Sequence, residues 1–146
     1  MSTEADMDQL PPALRDALLA VARQARENAY APYSGFLVGA AVLDEHGRIH
    51  GGCNVGNAAY PEGMCAEAGA LSAMVLAGGR VARAVAVVGA GPRWVTPCGG
   101  CRQKLREFGA PDMQVLVANT ERLHVTLRLE QLLPYSFGPE NLGQRV

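Results

Sequence analysis

No apolar run in this 146-residue chain is long enough to span a bilayer. The opening stretch, Met1 to Gln9, is acidic and polar, and it lacks the basic start and apolar stretch of a secretory leader. A cytoplasmic protein is expected. Basic blocks are also missing. Net charge is -1, and Arg80, Arg83 and Arg93 are scattered and read as solvated surface. A phosphate-tracking surface draws its affinity from Lys and Arg, so neither a nucleic-acid nor a membrane partner is expected. There is no internal repeat, linker or low-complexity tract. Apolar residues make up 49% and charged residues 18%, enough for a core, which excludes disorder of the whole chain. The length fits one domain over residues 1–146.

What is present reads as alternating helix and strand. Pro11 to Asn28 carries Leu14, Leu18, Leu19, Val21 and Ala22 at helical spacing, and Ala31-Pro32-Tyr33-Ser34-Gly35 ends that pattern. Phe36 to Leu43 predicts a buried strand, Asp44 to Gly47 a hairpin turn, and Arg48 to Val55 the return strand. Gly56 to Gly63 is a loop. Cys65 to Ala77 is Ala-rich and helical, stopped by Gly78-Gly79. Val81 to Gly89 is a third strand. Thr96-Pro97 suits a helix start running to Phe108 before Gly109. Met113 to Ala118 is a fourth strand, Leu123 to Thr126 a fifth, and Leu129 to Leu132 a short helix. This order implies a sheet with helices on both faces.

Two segments carry chemistry, Cys65-Ala66-Glu67 and Pro97-Cys98-Gly99-Gly100-Cys101. In a reducing compartment cysteines serve as thiols or metal ligands more readily than as disulfides, and two intervening residues suit a metal better than a bridge. Each segment opens a predicted helix, where free N–H groups and the dipole favour thiolates. Cys98 and Cys101 share a helical face, and Cys65 arrives from the other helix. Three protein ligands leave a fourth tetrahedral position open, as in catalytic zinc. Cys53, beside Asn54, reads as a buried small apolar residue. The competing idea makes it a fourth thiolate, closing a structural site.

Glu67 taken alone is a first-turn Glu favoured by the helix dipole. Two positions after a metal cysteine, with Pro-Cys-x-x-Cys downstream, it matches the known signature of zinc deaminases, in which a non-ligand Glu shuttles protons. That is a match to a described pattern and not a consequence of spacing. Three thiolates against one divalent cation leave a net negative charge, which weakens the acidification of water by zinc. Two helix N-termini and Arg102 are candidates to offset it. Arg102 also reads as an ordinary solvated helix residue, and both readings stay open. His46, His50 and His124 read as turn and strand residues, not as ligands.

With these motifs the chain resembles the small homotetrameric cytidine deaminases from about Ala29 to Leu142. The resemblance runs through Ala31-Pro32-Tyr33-Ser34-Gly35-Phe36, Val38-Gly39-Ala40-Ala41, Gly52-Cys53-Asn54-Val55, Asn57-Ala58-Ala59-Tyr60, the two cysteine segments with Arg102-Gln103, and Leu132-Leu133-Pro134 with Phe137-Gly138-Pro139. It implies a three-layer α/β/α sandwich with a five-stranded mixed sheet. It implies one zinc per chain on Cys65, Cys98 and Cys101, Glu67 as the catalytic residue, and a free pyrimidine nucleoside as substrate. Phe36 would pack on the pyrimidine, Asn54 would bond the ribose 3'-hydroxyl, and the Ala66 backbone would read the base with Glu67. Ala58, Tyr60 and Phe137 would be contacts across subunit boundaries, making the active sites of a homotetramer composite. Without the motifs, Phe36, Tyr60 and Phe137 read as core or interface packing.

The sequence departs from the resemblance at Gly56, where the family usually has a ribose-binding Glu, and at Ala68, where many relatives carry Arg. Three readings of Gly56 follow: a cytidine deaminase tolerating the lost contact, a deaminase of a nucleoside with an altered or bulkier sugar, or an introduced substitution. Two other classes compete. One is a deaminase of a base in tRNA, disfavoured by the near-neutral charge and the Asn54 loop. The other is a non-catalytic zinc protein, disfavoured by the intact Glu67.

Overall fold

The period-two alternation of the strands sorts their side chains onto two faces, and each face has its own helices. A computed structural model describes residues 10–144; the polar Met1–Gln9 stretch lies outside the described residues. The strands are β1 (Val38–Asp44), β2 (Ile49–Cys53), β3 (Ala82–Gly89), β4 (Gln114–Ala118) and β5 (Leu123–Arg128). They form one mixed sheet in the order β2-β1-β3-β4-β5. Only β3 and β4 run parallel; β1 is antiparallel to β2 and β3, and β5 to β4.

Helix α1 (Pro12–Arg26) covers one face, burying Leu18, Leu19 and Ala22 against Ala41, Leu43, Ala84, Ala86, Val88, Leu116 and Ala118. The other face presents Ala40, Val42, Val85, Val87, Val115 and Val117 to α2 (Ala66–Leu76), α3 (Gly99–Phe108) and the short α4 (Leu129–Leu132). The result is the three-layer α/β/α sandwich with five strands. Each fully buried Leu or Val contributes roughly 1.5–3 kcal/mol, so the central strands β3 and β4, buried on both faces, carry much of the core.

Two glycines let helices touch the sheet directly. A Cβ on Gly39 would run into the Ala22 carbonyl and the Arg26 backbone of α1; one on Gly52 would run into Ala66 and Ala70 of α2. Helix α2, which carries Glu67, therefore rests backbone to backbone on β2.

Several boundaries differ from the sequence reading. Strand β1 starts at Val38 because the chain before it is bonded otherwise: Asn54 Nδ2 donates to the Phe36 carbonyl, Arg26 Nε donates to that of Leu37, and the Val38 N–H donates to Asn54 Oδ1. Asp44 is the buried last residue of β1, and Gly47 (φ 80°) makes the turn that follows. Helix α3 begins at Gly99, not at Thr96-Pro97. Cys98 is its extended N-cap, with its carbonyl accepting the Arg102 N–H at 2.9 Å, while the Thr96 hydroxyl accepts from the Arg102 side chain. Strand β5 continues to Arg128, paired with Gln114. No described helix is long and apolar enough to cross a membrane.

Candidate active site

The parallel pair β3 and β4 is linked through α3, and an open α/β sheet offers its crevice outside the carboxyl ends of such strands. There the N-termini of α2 and α3 converge. Cys65 is the N-cap of α2, Cys98 the N-cap of α3, and Cys101 lies in the first turn of α3. Their sulfur atoms all lie within 4.8 Å of one another, and Cys65 Sγ and Cys98 Sγ are 3.8 Å apart. Tetrahedral zinc with Zn–S bonds of about 2.3 Å requires sulfurs about 3.8 Å apart, so the donor set fits. The Cys101 N–H donates to Cys98 and pulls that thiol down. Burial pushes the Cys65 and Cys101 thiols up. A bound divalent cation reverses that tendency by favouring the thiolates. Cys53 ends β2 opposite Gly39 and is not part of the cluster.

Glu67, in the first turn of α2, is only 4% exposed. Burial pushes its carboxyl up; hydrogen bonding from the Cys101 thiol and the nearby charge of Lys104 pull the other way. The sequence reading passed over Lys104, whose ammonium folds back over the Gly100 turn. Its position four residues after Gly100 was the available signal.

Glu67, Cys65, Ala66 and Cys98 line one end of a cleft of about 430 Å³ whose walls include Phe36, Asn54, Gly56 and Tyr60. Thr96, Val95, Met64 and Ser34 also line it; none of them is singled out as a site residue by the sequence, since small and apolar residues carry no chemical signature there. Glu67 is the one carboxylate among the lining residues, and no Lys or Arg is among them. The Asn54 amide spends one N–H and one lone pair on the Phe36–Val38 backbone, leaving one of each.

Other expected residues lie elsewhere. Ala58 and Phe137 are exposed and do not line this cleft; Phe137 is 58% exposed, on a segment anchored by Gln103 donating to its carbonyl. Tyr60, 76% exposed, lines the cleft of its own chain. The Arg102 side chain donates to the Pro97 and Leu132 carbonyls and to the Thr96 hydroxyl, so it braces the turn leading into Cys98. His50 donates to buried Asp44, remote in sequence from the cysteine segments.

Residues 13–117 match a family described as the cytidine and deoxycytidylate deaminase zinc-binding region. The chain belongs to this family. Its relatives include the cytidine deaminase of Sporosarcina psychrophila, 42% identical over 128 residues that cover 88% of this chain and 94% of that protein. The cytidine deaminase of Halalkalibacterium halodurans is 41% identical over 88% of this chain and 98% of its own. Among solved structures, the cytidine deaminase of Burkholderia pseudomallei superposes with a TM-score of 0.79 at 43% identity, covering 84% of this chain and 98% of that one. That of Mycobacterium tuberculosis gives 0.75 at 39% identity, covering 85% and 97%. Membership of a zinc-binding deaminase family, with three thiols at zinc spacing, gives this chain one zinc.

Proposed function

We propose that the chain catalyses hydrolytic deamination of cytidine and 2'-deoxycytidine to uridine and 2'-deoxyuridine, releasing ammonia. The observation that carries this is a buried carboxylate, Glu67, beside a three-thiol zinc site in a cleft lined by no Lys or Arg. When bound, zinc supplies the Lewis acidity that brings the pKa of water toward neutrality. Glu67 takes the proton from the attacking water, passes it to ring N3, and afterwards delivers a proton to the departing amine. Water oxygen becomes the new C4 carbonyl as the C4–N bond breaks, so atoms balance without a redox partner. A raised carboxyl pKa suits a group that must both take and give a proton.

Phe36 stacks on the pyrimidine, the Ala66 backbone reads the base, and the free valences of Asn54 meet the ribose. Arg102 holds the Cys98 turn and lends its charge to the thiolates. The absence of Lys and Arg from the lining favours a nucleoside over a nucleotide, whose phosphate would need a cation. Exposed Phe137, outside its own chain's cleft, supports a homotetramer in which Phe137 and Ala58 serve a neighbouring site. A single domain over residues 1–146, a cytoplasmic setting and a role in pyrimidine salvage accord with this reading.

The test is ammonia release by the zinc-loaded protein from cytidine, 2'-deoxycytidine and cytidine 5'-monophosphate. Turnover of both nucleosides with kcat/KM at least about a hundredfold above that of the nucleotide is expected. Zinc at one per chain with no turnover of any of them would return the chain to the class of non-catalytic zinc proteins.

A further inference from the structure

Of the thirteen Lys and Arg residues in the chain, only Lys104 is a lysine. It stands in α3, three residues after Cys101 and four after Gly100. Side chains on a helix lean toward its N-terminus, so this one runs back over the first turn of α3. Its ammonium lies 3.7 Å from where a Cβ on Gly100 would stand, and Gly100 falls between the two cysteines of that turn. Lys104 also shares the wall of a hollow with Ala68, the residue that follows Glu67 on α2. The ammonium is thus placed where the first turns of α2 and α3 meet. It is outside the substrate cleft, whose lining does not include it.

That junction gathers negative charge. Three thiolates on one divalent cation leave a net negative charge, and the Glu67 carboxylate, 4% exposed, adds to it. Charge held out of water is costly unless an opposite charge stands near. The two arginines of α3 are engaged elsewhere. Arg102 donates to the Pro97 and Leu132 carbonyls and the Thr96 hydroxyl, on the Cys98 side. Arg106 is held by Glu140 and Ser136. Glu107 shares the wall of the hollow with Lys104, yet among the described residues the two form no ion pair. Burial pushes the Glu67 carboxyl up, and the charge of Lys104 is among the effects that pull against it.

We propose that Lys104 is a positioning residue of the deamination site, its ammonium offsetting from behind the ligand turn the negative charge that the zinc thiolates and Glu67 bring together. This rests on the deaminase reading above. Loss of a proton from the attacking water leaves further negative charge in a site already negative. A cation beside the ligand turn lowers that cost without touching substrate. A compact charge on a flexible stem can do this without fixed hydrogen-bond partners.

Lys104→Met keeps the length of the side chain and removes its charge; Lys104→Arg keeps a charge. Zinc-loaded Lys104→Met is expected to deaminate cytidine with kcat lowered about tenfold and KM within about threefold of the unaltered protein, since Lys104 lines none of the cleft. It should release zinc to a chelator about fivefold faster. With cobalt(II) in place of zinc, its sulfur-to-metal charge-transfer absorption should move to longer wavelength, because the sulfur electrons are held less tightly without the ammonium. Lys104→Arg should bring all three readouts back near those of the unaltered protein. Melting curves and sedimentation check folding and assembly in each variant. An unmoved kcat or an unmoved cobalt band in Lys104→Met overturns the proposal. So does a Lys104→Arg variant as impaired as Lys104→Met, or a loss of rate that follows loss of assembly in both. Zinc release and the cobalt band do not depend on turnover. An unaltered protein inert toward cytidine therefore removes the deaminase reading, while these two readouts still tell whether Lys104 offsets the charge of the site.

Discussion

The Arg106 guanidinium meets the Glu140 carboxylate along both edges, Nη2 to Oε2 at 2.7 Å and Nη1 to Oε1 at 3.2 Å. Arg106 is buried in α3, its Nε also donates to the Ser136 hydroxyl, and Gly138 leaves it room, since a Cβ there would collide with the guanidinium. The C-terminal segment that displays Phe137 is thus fastened to the helix that carries Cys101. Arg106→Ala should cost roughly 3 kcal/mol, read as a shift in urea midpoint. Arg106→Lys should not restore it, because an ammonium cannot match both carboxylate oxygens and the hydroxyl together. Glu140→Gln, on the exposed side of the pair, should cost less.

Glu67→Gln keeps the shape and removes the proton carrier. Zinc content should stay at one per chain while kcat falls by about a hundredfold to ten-thousandfold. Metal analysis beside single-turnover kinetics on cytidine separates the two effects. A variant with near-normal kcat would remove Glu67 from the chemistry.

Cys101→Ser should reduce bound zinc well below one per chain, because the hydroxyl of serine does not ionise to replace a thiolate near neutral pH. Cys53→Ser should leave zinc at one per chain, since Cys53 stands in β2 outside the cluster. Metal analysis after dialysis against a weak chelator reads both. Zinc loss in the Cys53 variant would make it a fourth ligand after all.

Arg102→Gln removes three hydrogen bonds that brace the turn before Cys98, together with a positive charge. Faster zinc loss to a chelator is expected than from the unaltered protein. Arg102→Lys should retain the charge without the fork, so its exchange rate tells bracing from charge.

Asp44 provides the acid-sensitive element. Burial alone would raise its carboxyl pKa, but hydrogen bonds from His50, from the Arg48 and His46 backbones and from the Arg48 side chain outweigh that and hold it well below the usual carboxylate range. The unfolded chain, with an ordinary carboxyl, binds the extra proton first. The stabilisation is therefore complete above about pH 4 and is lost as pH falls toward the folded value. Urea midpoints measured from pH 7 to pH 3 should drop more steeply for the unaltered protein than for Asp44→Asn, which should be less stable at pH 7.

Much of this was legible in the chain. The order of helices and strands implied helices on both faces of the sheet, and the cysteine spacings pointed to the metal cluster, because element order and spacing are readable along the chain. What stayed hidden depends on partners distant in sequence. Asp44 read as a turn residue because His50 and Arg48 fold back upon it only in the hairpin. Thr96 read as a helix cap because nothing local shows that Arg102 takes its hydroxyl.

The three sulfurs come from two stretches of chain, and Cys65 and Cys98 are 33 residues apart. A metal joining them acts as a reversible cross-link that closes this loop, which includes all of α2 and β3. Tying such a loop restricts the unfolded chain far more than the folded one. The same ion that arms the catalytic end thus serves as a fastening for the molecule, and a cell short of zinc would hold a chain more easily unfolded as well as one unable to react.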